Sequence, residues 1–465
     1  MRRTILAFFA LAVAGGCDPR DFDAALDKAP VQFVGAPGGF GSNAGRTLLP
    51  LAPPTNRPAV AAQLLFAGTD TPSLALAEFD GNGKTDVQTA TDIELGALGL
   101  ASDQGGISSA AWLIGQPAAG SGPLEIVALG MPGVPTPGPT GGVAFLNLVA
   151  DSSGKVAFET AQVPRGGPLT ESHFGLAVAR GRVTQDAADE AIVVSDNKVH
   201  VLGFPTGDVV SASTCAVALP TPPDLYRSLA VARFLSDGAG YQQIAVGLPV
   251  KGGAGKVVIL QYSTASGTAE LVCASKPGLS VPGGNPPGFG TSLVAVPDVS
   301  GDGLADLVVG APPDRAYLLF SPFDGSRQPL LITNADAGSE FGQRVALVGT
   351  IDSKGIQKIA ITALQADVGS TKKAGQVFVY ELAYLDDPSS RVAVGSQLVA
   401  TVNDGNPTAK TEFFGIGLAD LEFNSSGACA KGKDAHLLVA GADAGIFTFF
   451  RFPGSGPDPR CFVQK

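Results

Sequence analysis

One short segment of the chain concentrates side-chain oxygens at a regular spacing. The run Asp298-x-Ser300-Gly-Asp302-Gly303-Leu304-x-Asp306 places oxygen ligands at relative positions 1, 3, 5 and 9, and the Leu304 carbonyl can serve at position 7. Hard oxygen ligands in one tight loop are typical of Ca²⁺ sites, and Gly303 permits the sharp turn that points them inward. We predict a calcium site at this loop.

A second segment fits the same register, with Glu78 in place of the first Asp. Its positions are Glu78, Asp80, Asn82, Lys84 and Asp86. The alternative for both segments is an Asp-, Asn- and Gly-rich β-turn that needs no metal. Related segments elsewhere have lost the pattern, because Lys358 stands where the last acid belongs and the stretches around Asp186 and Asp237 lack either Gly or acids. We predict metal-free turns there.

The residues typical of catalysis are sparse. The chain has no Gly-x-Ser-x-Gly elbow, no His-Glu-x-x-His and no P-loop. His173, His200 and His436 are isolated and are predicted to be structural. Trp112 alternates with Ala110 and Ile114, which is typical of a packed strand, although the indole could also line a ligand surface.

The elements that must position these residues are short strands in a repeating pattern. Seven β-rich runs begin between Asp86 and His436, at a mean spacing of about 58 residues, and most are followed by another alternating strand. Evenly spaced short strands without a helical pattern indicate an all-β repeat array. A period near 60 fits one four-stranded blade of a β-propeller, so we predict seven blades.

The segment Gly288-Phe289-Gly290 to Gly310-Ala311-Pro312 resembles the FG-GAP repeat of integrin α-chain propellers and of many bacterial surface proteins. The Phe-Gly element recurs at Phe174, Phe341 and Phe414, and the resemblance covers roughly residues 59 to 452. It implies an all-β, seven-bladed β-propeller built from FG-GAP-like repeats, with calcium at both acidic loops. Only about 20 residues separate Asp86 from the next repeat, so the first repeat is expected to have a short or missing outer strand.

Composition narrows the function classes. The 31 basic residues are outnumbered by 42 acidic ones, which gives a formal charge of −11, and the chain has no basic run. Nucleic-acid binding is therefore not expected. Charged residues make up only 16% of the chain and there are three His, so few side chains are available for acid–base catalysis.

The N-terminus has the features of an export signal. Met1-Arg2-Arg3 precedes a short apolar stretch, and Ala14-Gly15-Gly16 lead to Cys17. The apolar stretch is too short to span a bilayer, which needs about 20 residues. Small residues before a Cys resemble a bacterial lipoprotein signal, which predicts lipidation of Cys17. The alternative is an ordinary signal peptide with an incidental Cys.

The remaining cysteines suit an oxidising compartment. An even number, four, remains after Cys17, and none forms a CxxC. We predict disulfides Cys215–Cys273 and Cys429–Cys461, one of three possible connectivities.

We divide the chain into four parts: a signal peptide at 1–16, a lipidated tether at 17–58, the propeller at 59–452 and a tail at 453–465. Within the tether, Val31-Gln-Phe-Val is a candidate strand that could complete the last blade.

The leading function is an exported, lipid-anchored, calcium-stabilised module of the cell envelope that binds an envelope or extracellular protein or glycan. The alternatives are a lyase or hydrolase with a site in the central channel, favoured by converging His, Arg, Tyr or carboxylates, and a purely structural envelope component. Fold alone does not decide among them.

Overall fold

The structure is a computed structural model. It describes residues 31–34, 47–51, 62–67, 74–79, 85–89, 106–115, 124–133, 141–150, 156–166, 173–184, 188–196, 198–203, 209–211, 228–236, 240–250, 253–274, 278–333, 338–349, 356–384, 394–402, 414–422, 435–440 and 446–452. No helix in these ranges is long and apolar enough to cross a membrane.

The described residues form seven four-stranded antiparallel sheets, which we number I to VII, and no α-helix. The strands in chain order are β1 (Val31–Val34); β2 (Thr47–Leu51), β3 (Ala62–Ala67), β4 (Leu74–Phe79) and β5 (Thr85–Thr89) of sheet I; β6 (Ser109–Gly115), β7 (Leu124–Met131), β8 (Gly142–Ala150) and β9 (Val156–Gly166) of sheet II; β10 (Ala177–Gly181), β11 (Glu190–Val194), β12 (Val199–Leu202) and β13 (Val209–Ser211) of sheet III; β14 (Ser228–Ala232), β15 (Gln243–Val250), β16 (Gly253–Ser263) and β17 (Glu270–Cys273) of sheet IV; β18 (Ser292–Val296), β19 (Asp306–Ala311), β20 (Arg315–Leu319) and β21 (Leu330–Thr333) of sheet V; β22 (Phe341–Val348), β23 (Gln357–Ala363), β24 (Gln376–Tyr384) and β25 (Val394–Val402) of sheet VI; and β26 (Gly417–Glu422), β27 (Ala435–Ala440) and β28 (Ile446–Phe452) of sheet VII.

The second strands of sheets III and V are buried on both faces because each of these sheets packs between two others. Every residue of β11 and of β19 is buried. Five core clusters among the described residues each join two consecutive sheets, from I with II through to V with VI. In the first of these, Leu76 of sheet I packs with Val127 of sheet II. Burying one such side chain stabilises the fold by about 1.5–3 kcal/mol, so the core lies between the sheets.

The first strands of the sheets contact one another in a cyclic order. Strand β2 contacts β6, and the series continues through β10, β14, β18, β22 and β26. Strand β26 in turn contacts β2, so the order returns to its start. The first strands are therefore the innermost elements of the array.

Sheet VII takes its fourth strand from the N-terminal side of the chain. Strand β1 pairs antiparallel with β28, and Val31 lies opposite Phe449. This confirms the prediction that Val31-Gln-Phe-Val completes the last repeat. The pairing joins the two ends of the strand array.

The first repeat differs from its prediction. Sheet I begins at Thr47, before residue 59, and has four strands. The run beginning near Asp86 is its fourth strand, β5, and not its second, and Glu78 pairs with Asp86 across β4 and β5. The expected short or missing outer strand was wrong because the strands before residue 74 were not assigned to this repeat.

The Phe-Gly elements join neighbouring sheets. Gly342 has φ +95°, and a Cβ atom there would overlap the carbonyl oxygen of Arg315 in β20. Its own carbonyl accepts the Ser292 hydroxyl at 2.9 Å and lies where a Cβ atom on Gly310 would be. The same arrangement recurs with Gly290, Gly247 and Ser228, and with Gly175, Gly130 and Ser109. We call this contact the glycine latch.

Candidate functional site

The loop Asp298–Asp306 connects β18 to β19 and is organised around the Asp298 carboxylate. Its Oδ1 accepts hydrogen bonds from the backbone N–H groups of Gly301 and Asp302, and its Oδ2 accepts one from Gly303 at 2.8 Å. Gly301 and Gly303 have φ of +82° and +87°, which glycine adopts without steric cost. The predicted first ligand therefore holds the backbone of its own loop.

Asp306, the predicted last ligand, is fully buried. Its Oδ2 accepts the N–H groups of Val299 and Ser300 at 3.1 and 3.0 Å, and its Oδ1 accepts that of Ser321 at 2.9 Å. Burial raises the pKa of Asp306 to about 7. The nearby carboxylates of Asp302 and Asp298 contribute to this rise in pKa, whereas the backbone hydrogen bonds oppose it.

The position of Asp306 has the same structural role in repeats that lack the acidic pattern. Gln243 begins β15, is buried, and accepts the N–H groups of Phe234 and Leu235 at 2.8 and 3.0 Å. Glu190 begins β11, is buried, and accepts the N–H groups of Val183 and Thr184. Sequence analysis missed this shared role because it read the position only as a metal ligand.

The remaining groups of the loop also have partners. Asp302 Oδ1 accepts the Leu304 N–H at 2.9 Å. Arg327, from the segment between β20 and β21, donates from Nη1 to the Ser300 carbonyl at 2.8 Å. A guanidinium therefore already faces one carbonyl of the loop.

The types of donor in this loop fit calcium, but their arrangement does not gather them around one point. Across the described ranges, no three His, Cys, Asp or Glu side chains are placed so that they could hold a metal ion. Calcium at Asp298, Ser300, Asp302, Leu304 and Asp306 stays a prediction.

The second predicted calcium loop occupies a different place in its sheet. It connects the third and fourth strands of sheet I, whereas 298–306 connects the first and second strands of sheet V. Asp80, Asn82 and Lys84 lie outside the described residues, as do Asp186, Asp237 and Asp352 of the degenerate loops. The two calcium predictions therefore do not rest on equivalent positions.

Two of the histidines contact neighbours within the fold. His173 has φ +54°, and its Nδ1 lies 2.8 Å from Asp196 Oδ2. His200 is buried and packs edge-on against the Phe174 ring at 5.2 Å. The third, His436, lies in β27, opposite Leu421 of β26. The contacts of His173 and His200 therefore place neither of them at the loop 298–306.

A group that sequence analysis did not assemble lies along the first strands of sheets II and III. Asp189 forms an ion pair with Arg180, with Nε 2.7 Å from Oδ2, and accepts hydrogen bonds from Arg182 Nε at 2.9 Å and from the Ile114 N–H at 2.8 Å. The Arg180 guanidinium carbon lies 5.5 Å from the ring centre of Trp112. The pattern Arg-Gly-Arg at residues 180–182 was its only signal in the sequence. We call the side chains of Trp112, Arg180, Arg182 and Asp189 the arginine cluster.

Of the predicted cysteines, the structure describes Cys273, at the end of β17, and this residue is disulfide-bonded. Cys17, Cys215, Cys429 and Cys461 lie outside the described residues. Strand β17 contacts β13, the last strand before Cys215 in the chain. The pairing Cys215–Cys273 is compatible with that contact and stays a prediction, as does Cys429–Cys461.

Comparison with known proteins identifies one repeat directly. The family model described as FG-GAP repeat matches residues 289–319, which include the glycine latch residues Gly290 and Gly310 and the whole loop at 298–306. The chain carries an FG-GAP repeat. Integrin alpha-4 of Xenopus laevis is 29% identical over 205 residues, which is 39% of this chain and 19% of the integrin. The chain therefore spans only part of the length of that curated relative, and the FG-GAP repeat lies in a chain similar to an integrin α-subunit.

Two solved structures align with most of the chain at low sequence identity. The crystal structure of BBS1N in complex with ARL6DN, soaked with lead, has a TM-score of 0.46 at 11% identity, covering 91% of this chain and 98% of that chain. The same complex soaked with mercury has a TM-score of 0.45 at 12% identity, covering 89% and 94%.

Proposed function

We propose that the protein is an exported β-propeller of seven blades that binds a protein or glycan partner in the cell envelope or outside the cell. The cyclic order of contacts among the seven first strands carries this proposal, because a propeller is an array of four-stranded sheets around a central axis. The closure of sheet VII by β1 supports it, since that pairing joins the ends of the array.

A binding role is favoured over an enzymatic one. The FG-GAP repeat and the similarity to integrin alpha-4 point to an adhesion-type module. The arginine cluster is the nearest match to the converging groups that would favour an enzyme. Its carboxylate, Asp189, accepts two hydrogen bonds, forms an ion pair with Arg180 and is 1% exposed, so it is poorly placed to take a proton from a substrate.

Calcium is proposed as a stabilising ion and not as a reactant. Asp298, Asp302 and Asp306 lie close enough to raise the pKa of Asp306, and a bound cation would offset that repulsion. Extracellular modules bind calcium at about 10⁻⁴–10⁻³ M, so millimolar calcium adds about 1 kcal/mol per site.

Thermal unfolding in EDTA and in millimolar calcium tests this role. We expect calcium to raise the melting temperature by a few degrees, roughly as 1 kcal/mol would. Asp302→Ala removes most of that shift, whereas Asp352→Ala, in a degenerate loop, leaves it intact. Identical melting curves with and without calcium, together with no metal in the purified protein, would show that these loops are plain turns.

A lipid anchor at Cys17 would place the propeller at a membrane without a spanning helix. Mass spectrometry of the mature N-terminus tests the anchor, and Cys17→Ser should release the protein into the soluble fraction. Cleavage at another residue with no acyl group contradicts the anchor but leaves the binding function standing.

The binding function itself is tested by capture from envelope extracts with and without calcium, followed by identification of the captured protein or glycan. Saturable binding of one purified partner is the expected result. Turnover of an envelope polysaccharide or peptide by the purified protein would favour the enzymatic alternative instead.

A further inference from the structure

The arginine cluster holds two guanidinium groups in fixed positions. Both ion pairs with Asp189 use the Nε atoms of Arg180 and Arg182. Among the described residues, no contact engages their terminal Nη atoms. A guanidinium presents several donors in a rigid fork, so the free ends of these two groups are already oriented for a further oxyanion.

The cluster carries more positive charge than its described partner neutralises. One carboxylate faces two guanidiniums, and their side chains remain 38% and 55% exposed. Arg233 adds a third exposed arginine directly after β14 in the next sheet. Arg182 and Arg233 occupy equivalent places, because the Arg182 carbonyl accepts the Gln242 N–H and the Arg233 carbonyl accepts the Ala305 N–H. This charge stands out in a chain whose net charge is −11.

The surroundings of the arginines indicate the kind of ligand. The partly exposed residues on the neighbouring first strands are mostly apolar and include Ala110, Trp112, Ile114, Ala179, Val231 and Ala232. The hydroxyl of Ser109, on β6, lies 3.5 Å from the Gly175 carbonyl oxygen, to which it donates. The nearby Ser228 hydroxyl already donates to the Gly290 carbonyl. A sugar ring needs hydrogen-bond partners for its hydroxyl groups, and apart from the buried indole N–H of Trp112 these residues offer none through their side chains. A carboxylate on an aliphatic side chain needs only the N–H donors of a guanidinium group and an apolar contact.

We propose that Arg180, Arg182 and Arg233 bind the Asp or Glu carboxylates of an extended acidic segment of a partner protein. This inference rests on the proposed binding function and names the chemistry of its partner. Trp112 and Asp189 are positioning residues, because the indole supports Arg180 and the buried carboxylate fixes both guanidiniums. The innermost strands admit a narrow chain more readily than a broad folded surface.

Fluorescence anisotropy with a labelled hexaglutamate peptide tests the inference at an ionic strength of about 0.15 M. We expect saturable binding, no binding of labelled hexaglutamine, and weaker binding of an oligogalacturonate of equal charge. Arg182→Gln combined with Arg233→Gln should weaken hexaglutamate binding at least about tenfold, since two charge-assisted contacts are lost. Arg182→Lys keeps the charge but loses the fork, so it should weaken binding by a smaller factor.

Arg315→Gln is the matched control, because Arg315 is an exposed arginine paired with one carboxylate on the third strand of sheet V. It should leave hexaglutamate binding within about twofold of the wild type. Thermal unfolding of every variant confirms folding. If the double Gln variant does not fold, Arg182→Lys combined with Arg233→Lys replaces it, and this variant should also bind hexaglutamate more weakly than the control does.

Three results would overturn the inference: no hexaglutamate binding, equal losses in the double variant and the control, or tighter binding of the oligogalacturonate, which would make the ligand an acidic glycan. The failure of the proposed function is seen separately. A partner captured by the wild type and retained fully by the double variant leaves the binding function standing and removes the arginine site from it.

Discussion

At the scale of single residues, Asp306 shows that one side chain can match a calcium-loop motif and also stabilise its loop without a metal. Its carboxylate accepts hydrogen bonds from three backbone N–H groups. In sheet IV the neutral side-chain amide of Gln243 accepts hydrogen bonds from two backbone N–H groups of the corresponding loop. The acid at this position therefore stabilises its loop whether or not a metal binds. The sequence pattern predicted a metal ligand at this position but not this second role, because a hydrogen bond from a loop amide leaves no spacing signature.

The pKa of Asp306 predicts how stability depends on pH in EDTA. The folded chain holds the proton up to about pH 7, whereas the ordinary pKa is 3.8. The folded state therefore binds more protons between these values, so this contribution to stability is full below about pH 4 and is lost as the pH rises through about 7. The free energy of unfolding should fall by at most about 1.4 kcal/mol per pH unit from this group.

Asp306→Asn should flatten that part of the profile, measured by urea unfolding at several pH values. Asp314→Asn, at a carboxylate exposed on the surface and paired with Arg315, should keep the wild-type slope. Parallel profiles for wild type and Asp306→Asn would contradict the raised pKa.

Because Gln243 is neutral, its replacement tests the contribution of the loop contact without changing the charge of the protein. Gln243→Ala leaves the buried N–H groups of Phe234 and Leu235 without their acceptor, which should cost about 1–3 kcal/mol. Gln242→Ala removes an exposed hydrogen bond to the Arg182 N–H and should cost less than about 1 kcal/mol. Similar losses in chemical denaturation for both variants would argue against a stabilising role for the buried amide.

At the scale of elements, the glycine latch explains why the Phe-Gly and Gly-Ala-Pro segments recur together. The Phe-Gly segment before one sheet closes over the second and third strands of the sheet before it, and both contacts exclude a Cβ atom. The residues of this motif are therefore required by contacts between neighbouring repeats and not by contacts within one repeat. Its physical origin is the close approach of two backbones.

Gly342→Ala tests the latch. Gly342 and Gly267 both have positive φ, at +95° and +83°, so alanine at either should cost about 1–2 kcal/mol in backbone strain. At Gly342 the new Cβ atom also overlaps the Arg315 carbonyl, whereas at Gly267 it meets nothing within 4 Å. We expect a larger loss of unfolding free energy for Gly342→Ala, by roughly 1–3 kcal/mol. Equal losses would show that the close approach contributes nothing.

Sequence reasoning was reliable for elements with strong alternation and weak for the first repeat. The runs that became β15, β19 and β23 are apolar and come directly before another strand, so their assignment was straightforward. Thr85–Thr89 carries the acidic pattern of a second strand but is a fourth strand, paired with β4. Local spacing does not reveal strand order within a sheet, which depends on long-range pairing. The arginine cluster was missed for the same reason, because Trp112 and Arg180 belong to different sheets.

At the scale of the whole molecule, the β1–β28 pairing determines how the array holds together. Without β1, strand β28 keeps only its pairing with β27 and presents a free edge. Every other sheet takes all four strands from one continuous stretch of chain. Sheet VII is therefore where the array is expected to be weakest.

Truncation tests this closure. A chain that lacks residues 1–34 should melt at least about 1 °C lower than a chain that lacks only residues 1–30, because a loss of about 1 kcal/mol shifts a domain of this size by roughly that amount. A synthetic peptide spanning residues 29–36 should restore the melting temperature of the shorter chain and leave the longer one unchanged. Identical melting of both chains, with no response to the peptide, would show that β1 contributes nothing to stability.

The same pairing also constrains the order of events as the protein is made. Val31 is synthesised 418 residues before its partner Phe449. Local sheets such as β18 to β21 can form as soon as their own strands emerge, whereas long-range contacts form slowly because a long loop must close first. Strand β1 therefore waits for β28. A chain stopped short of residue 446 would retain sheets I to VI but would leave β1 without a partner, accessible to the export and quality-control machinery.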